Sequence, residues 1–500
     1  MNERLVKKRR PRVAASLVLL LVALAAAGCD KPANAPEQTE AEPAEASGEI
    51  VNPPANDWKP YEARPGEKVE LTVMYASEAS FYRDYGNLFL ARHPEAEFRV
   101  VALSETRGEG DMLANYEAVL KENAPDVLLL NEAQYEALAA NGRLLDLDAP
   151  IRSSGFDTEG MVPGVIELLT ERGGGRLYGL SPSFESRALY YNRSLFDEYG
   201  VPYPEPGMSW EEVLMLAERF PDANEAGQPL YGLYQPTFTI SPFDLAMKIG
   251  SAQRLSLLDP EGAKLLLDSE GWKRIFSLVV EGYKNQAIYY PAAPLRDNGN
   301  GTTSLSLGSN LFLDGQAAMA IDDMLMMQMM DFLAGRKGEN EGESAAFAWD
   351  TVPMPVSPDN PGVTPYFEVE DIFAVNRESD QLSLAWEFVQ YVHSEEFMTL
   401  SAKSSSKLLS RTGFEQDSKG RDLSDFYALR PDLTMRTPLV PEGFTRAFRD
   451  IAEKAITDAI ADRMTTDEAL AYIREEAQKT LDAAASSGNR ERFALDEELL

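Results

Sequence analysis

From Val69 onward the chain alternates short apolar runs with amphipathic stretches. VELTVMYA, starting at Val69, has the β-branched character and brevity of a buried strand. The next segment repeats Phe81, Tyr85, Leu88 and Phe89 at helical spacing, and Pro94 stops it. AEFRVVAL and PDVLLL predict two further strands, with a helix over 115–122 between them, and AQYEALAANG predicts a helix ended by glycine. This alternation predicts a parallel sheet covered by helices. The middle of the chain changes character. LYGLSPSFESRALYYN is strand-rich and interrupted by Pro182, and Ser209 with Glu212 forms a capping box that opens a helix. PLYGLY predicts another strand, and 242–284 is mostly helical, broken by a hairpin around Asp259, Pro260, Glu261 and Gly262. DIFAV returns to strand and LSLAWEFVQYVHS to helix. Helices around 442–462 and 465–484 close the pattern, the latter with Leu470, Ile473, Ala477 and Leu481 on one stripe.

Five hundred residues exceed one ordinary core, so at least two domains are expected. The N-terminal segment is different in kind. Arg4, Lys7, Lys8, Arg9, Arg10 and Arg12 precede an apolar run over 13–27 that is too short to span a bilayer, and small residues lead to Cys29. This is an export signal over 1–28. Its end resembles the lipobox of bacterial lipoproteins, with Ala26 where that pattern usually has Leu, and the resemblance implies that Cys29 is lipidated. A plain secretory signal is the alternative. Residues 29–68 are rich in Pro, Ala and Glu and read as a tether, on which Trp58 and Tyr61 are either solvated or docked as a short arm. Residues 491–500 read as a C-terminal tail.

Charge and motif content remove several functions. With 47 Lys and Arg against 81 Asp and Glu, the net charge of −34 argues against nucleic acid as partner. One cysteine excludes an internal disulfide and a four-Cys zinc site, and two histidines, His93 and His393, leave few imidazole ligands. No GxSxG, P-loop, GxGxxG or HExxH occurs, although paired carboxylates of a carbohydrate-active enzyme or lyase stay open. No metal site and no cofactor are expected. Met324, Met326, Met327, Met329 and Met330 offer soft thioethers that suit Cu(I), but core packing is the favoured reading, since a helix cannot aim all five at one ion. The loop Asp222, Asn224, Gly227 lacks a full calcium ligand set and reads as a hairpin turn. Trp210 and Trp386 sit on helix patterns and are expected in the core; Trp349 stays open.

The order of APDVLLLNEAQYEALAANGRLLDLD, LYGLSPSFESRALYYNRSLFDEYGVPYPEPGMSWEEVLMLAE, FLDGQAAMAIDD, WDTVPMP and DIFAVNRESDQLSLAWEFVQYVHSEE resembles extracellular solute-binding protein family 1, the maltodextrin-type binding lipoproteins of ABC importers. The resemblance implies an α/β, two-lobed periplasmic-binding-protein-like fold of type II, hinge-linked with a ligand cleft between the lobes. Lobe 1 is placed at 69–186 and 352–402, lobe 2 at 187–351 and 403–490. A sugar offers a C–H face for aromatic rings and hydroxyls for carboxylates and amides, so those residue types at strand ends are the candidates. They are Tyr75, Ser77 and Glu78; Asn131, Glu132 and Gln134; Glu185, which matches a cleft carboxylate at the first crossing; Tyr234, Gln235 and Phe238; Asp322, Asp323 and Met324; and Phe367, Glu368 and Glu370 beside Tyr366. Each acidic one could instead be a solvated cap, and Tyr75 or Phe238 could be core. The function implied is capture of a carbohydrate, an oligosaccharide, and its delivery to ABC transporter permease subunits by a monomer anchored outside the cytoplasm by lipid. A sensor subunit that reports ligand to a membrane receptor is a further alternative.

Overall fold

The computed structural model describes residues 58–63, 66–103, 112–235, 241–260, 262–289, 296–297, 303–304, 310–336, 347–403, 405–434, 439–484 and 490–492. All belong to one compact unit, Val51–Leu500. The expected export signal over 1–28, Cys29, the expected tether up to residue 57, Phe238 and the tail from 493 lie outside the described residues.

Two sheets organise the two lobes. The first runs in the order Ala96–Ala102, Val69–Tyr75, Val127–Leu130, Ile372–Val375, Gly179–Leu180. Its first three strands are parallel, as the strand–helix alternation predicts. The strand Ile372–Val375 runs antiparallel to both of its neighbours. It arrives from the other lobe rather than through a covering helix, so it need not share their direction. Leu71, Val73, Val127, Leu128, Phe373 and Val375 are all buried, which fits a sheet covered on both faces. Phe388, from the helix Leu382–Val392, packs within 5.8 Å of Phe81, Phe89 and Phe373.

The expected helix after the first strand is not regular. Glu78–Phe81 and Asn87–Arg92 are α-helical, but Tyr82–Gly86 forms a π-helical turn. The added residue in that turn brings Phe81, Tyr85 and Phe89 against the sheet and leaves Leu88 exposed. Gly86 permits it, since a Cβ there would lie 2.9 Å from the Phe81 ring.

The second sheet has the order Trp349–Pro353, Ala188–Asn192, Ala317–Asp322, Tyr231–Tyr234. Alternation along Ala188–Asn192 sends Leu189 and Tyr191 into one core and Ala188 and Tyr190 into the other. The first of these cores is closed by the helices Trp210–Ala217, Pro242–Ala252, Glu270–Lys284, Phe444–Ile460 and Thr466–Ala484. Gly232 lets Trp210–Ala217 lie on the sheet, since a Cβ there would sit 2.1 Å from the Ala217 carbonyl oxygen. Trp210 and Trp386 are buried, as expected. The expected capping box is formed, with Ser209 and Glu212 each accepting from the other's backbone N–H.

The chain passes between the sheets three times, and the three passages are bonded to one another. Ser183–Phe184 pairs with Leu408–Leu409. Glu185 and Glu368 exchange backbone hydrogen bonds of 2.8 and 3.0 Å. Phe184 stacks on Phe367 at 4.7 Å and meets Tyr427 edge-on at 5.2 Å. The docked-arm alternative holds for the end of the tether: Trp58 and Tyr61 pack on the first lobe, and Ser383 Oγ donates to the Lys59 carbonyl at 2.8 Å.

Candidate functional site

The ends of the second sheet's strands bring distant acids to the three passages. Asp322 is in register with Ala188, and Ala188 with Pro353, so these ends share one edge with Arg187 and Glu185. Tyr234 lies beside Ala320, which puts Gln235 at that edge too. The Asp323 side chain accepts from Leu325 N–H at 2.7 Å and so starts the helix Leu325–Arg336, while Tyr190 Oη donates to the Asp323 carbonyl at 2.7 Å. Burial, and then the charge of Asp323, push the Asp322 carboxyl up to about 7, against the opposing pull of the Asp323 N–H, which donates to it at 2.9 Å, and of Arg187. Burial also raises Asp323, with Glu185 adding to it and Arg187 and the Leu325 N–H working against it.

Lys407, on the third passage, is the centre of the charge pattern. Its Nζ lies 3.2 Å from Glu185 Oε1, 3.3 Å from Glu370 Oε2 and 3.4 Å from Asp371 Oδ2. Burial alone would pull this ammonium down, but Asp371, Glu185 and Glu370 together outweigh it and hold Lys407 above the usual lysine range. Neither Lys407 nor Asp371 stands out in the sequence. KSSSKLL reads as a solvated loop, and only the pairing of Leu408–Leu409 with Ser183–Phe184 carries it to Glu185.

The remaining candidates divide. Tyr75 is buried; its Oη donates to Asp84 at 3.2 Å, and its ring meets Tyr85 edge-on at 5.7 Å. Burial raises its hydroxyl, with Asp84 and Asp371 adding to the effect, which places Tyr75 beside the acid cluster. Glu132 accepts from Arg172 Nε at 3.1 Å and from Val369 N–H at 3.4 Å, so it buttresses the segment that carries Glu368 and Glu370. Burial raises its carboxyl, and Arg172 opposes this. Ser77 caps the helix Glu78–Phe81, and Glu78 is exposed. Asn131 and Gln134 satisfy each other's backbone in a capping box, which gives both a structural task. Tyr234 is buried 5.9 Å from the Tyr289 ring. Gln235 is 5% exposed, with no hydrogen-bond partner for either amide atom among the described residues. Phe367 is committed to the stack with Phe184, and Glu368 joins the site through its backbone, with its side chain exposed. Tyr366 carries Arg187 and Lys248 over its ring at 5.3 and 5.1 Å.

Met324, Met326 and Met327 are buried, whereas Met329 is 41% exposed. Met324 and Lys407 also line a cavity of about 240 Å³ between the helix Leu325–Arg336 and the segment 402–427, with Phe414, Arg421 and Tyr427 on its walls. Arg421 is fixed there by both Asp331 oxygens, at 3.1 and 2.9 Å, and by Asp417 at 2.6 Å. Trp349 is at the other end of the sheet, opposite Asn192 and 5.9 Å from the Arg421 guanidinium. Asn224 accepts from Ala226 and Gln228 N–H, which makes its loop a closed turn. Among the described residues no three His, Cys, Asp or Glu side chains converge to hold a metal ion, and no helix is long and apolar enough to cross a membrane.

Solved structures share this architecture. An extracellular solute-binding protein family 1 member from Alicyclobacillus acidocaldarius superposes with a TM-score of 0.59 at 13% identity, over 84% of this chain and 100% of that one. A sugar transporter from Rhizobium etli in an open conformation gives 0.56 at 19% identity, over 82% and 99%. An ABC substrate-binding protein from Listeria monocytogenes in complex with cycloalternan gives 0.52 at 18% identity, over 83% and 100%. These likenesses establish the two-lobed fold. Residues 93–420 match the family described as bacterial extracellular solute-binding protein, and with more than half of its length so matched, the chain belongs to that family.

Proposed function

We propose that this solute-binding protein captures a carbohydrate, an oligosaccharide, between its lobes and delivers it unaltered to the permease subunits of an ABC importer. The carrying observation is the convergence of Glu185, Glu370, Asp371, Asp322 and Asp323 with Lys407 and Arg187 where the three passages meet. Carboxylates accept hydroxyl protons in charge-assisted bonds, the stronger kind, and a sugar presents hydroxyls in a ring. The two lobes at 69–186 with 352–402 and at 187–351 with 403–490 would both touch such a ligand, so occupancy favours closure. A micromolar Kd needs a net binding free energy of about −8 kcal/mol, well within reach of several such bonds. The neighbour that is a sugar transporter supports the same ligand class.

The reading includes Cys29 as a lipid anchor that holds a monomer outside the cytoplasm. Acyl chains supply about 0.8 kcal/mol per buried CH₂, which an acidic surface cannot. A thermal-shift screen over mono- and oligosaccharides tests the ligand class, because a solute bound only by the native state raises Tm. A rise with one saccharide series supports the reading. A rise only with peptides or metal ions would end it.

A further inference from the structure

The Lys407 ammonium has three N–H groups and three carboxylate partners, one on the first passage and two on the second, while the lysine itself stands on the third. A single side chain therefore ties all three passages with charge-assisted bonds. Its donors are saturated by protein. Each partner carboxylate keeps a second oxygen, and a carboxylate paired with an ammonium only accepts. One cation among three acids also leaves the cluster negative, and Asp322 and Asp323, two carboxylates that share Arg187 as opposing charge, add to this when ionised. The cations nearby are largely matched: Arg83 pairs with Asp84 at 2.6 Å, Lys248 shares the Tyr366 ring with Arg187, and Arg421, on the wall of the cavity that Lys407 and Lys403 also line, is held by Asp331 and Asp417. Among the described residues no metal-holding group of acids is present to take up the charge.

We propose that Lys407 is the positioning residue of the cleft, presenting Glu185, Glu370 and Asp371 as acceptors so that the site selects solutes bearing hydroxyl or ammonium donors and rejects anionic ones. The proposal rests on the carbohydrate reading, but its charge logic can fail separately. A merely structural lysine would weaken all ligands alike when lost. A lysine that neutralises the cleft would, when lost, leave a cationic ligand able to stand in for it.

The experiment is isothermal titration of the full-length protein with maltotetraose, with the glucosamine tetramer and with tetragalacturonate, in the wild type, K407M and K407R. The wild type is expected to bind the neutral and amino tetramers at least tenfold more tightly than tetragalacturonate. K407M should weaken maltotetraose at least tenfold and shift the preference toward the glucosamine tetramer by a similar factor, while K407R restores the wild-type ratio. Tetragalacturonate binding as tightly as maltotetraose, or K407M leaving the ratios unchanged, would overturn the proposal. Thermal unfolding tests the tie without any ligand. K407M should lower Tm, and E370Q with D371N added to K407M should recover part of the loss by removing repulsion; an unchanged Tm in K407M overturns the three-way tie. No binding of any tetramer, together with the Tm pattern just described, would retain the tie but overturn the solute selection proposed for it, leaving the carbohydrate reading to the thermal-shift screen.

Discussion

Asp322→Asn separates the folding cost of this site from its binding gain. Asp322 sits at a strand end beside Asp323, enclosed by protein on most sides, with Arg187 its opposing charge. Its carboxyl is pushed from 3.8 up to about 7. Below pH 3.8 the folded and unfolded chains both hold the proton. Between that value and about 7 only the folded chain does, so rising pH favours unfolding, and above about 7 the whole cost is present. At about 1.4 kcal/mol per pH unit the ceiling is roughly 4 kcal/mol, and the residual solvent access of Asp322 reduces it to about 2 kcal/mol. The asparagine variant carries no such cost. Urea unfolding of both proteins at pH 5, 6, 7 and 8 should therefore show the variant gaining stability over the wild type by about 1–2 kcal/mol across that range. At pH 8, where Asp322 is mostly ionised, the same variant should bind saccharide at least tenfold more weakly, because a charged acceptor worth about 1.5–3 kcal/mol is lost. Parallel stability curves for the two proteins would refute the placement of Asp322 in a desolvated, acid-flanked recess.

Other outcomes follow from single residues. His393 is fully buried with Nδ1 2.6 Å from the Val389 carbonyl, and burial pulls it down to about 4. The unfolded chain takes up this proton from about pH 6.5 downward, so stability should fall by up to about 3 kcal/mol toward pH 4, and H393Q should flatten that part of the acid unfolding curve. Glu185→Gln should weaken saccharide binding about 10–100-fold, read by titration calorimetry, with little change in Tm, since two carboxylates still hold Lys407. Gly232→Ala should lower Tm, because the added Cβ would press to 2.1 Å from the Ala217 carbonyl and overpacking costs about 1–3 kcal/mol.

Apolar period made most of the fold legible. VELTVMYA, PDVLLL and DIFAV are strands because each is short, branched and buried on both faces. The cap at Ser209 was read from its pairing with Glu212, whereas Asn131 and Gln134, read as ligand contacts, use their side chains on each other's backbone in a second capping box. The π-turn at Tyr82–Gly86 was hidden because it changes phase by one residue without changing composition. The place of Glu185 at the first crossing could be read from its dense local motif. Lys407 and Asp371 could not, since their meaning comes from a pairing between segments more than two hundred residues apart in the chain. Phe367 looked like an open aromatic platform, but stacking on Phe184 spends its ring on the passage itself.

The most direct test of saccharide capture without chemistry is equilibrium dialysis of the full-length protein against an oligosaccharide mixture, with mass spectrometry of what it retains and later releases. One intact saccharide per protein should be held by the wild type, come off at its original mass, and be lost from E185Q. Retention of no saccharide, or release of fragments shorter than the input, would contradict it.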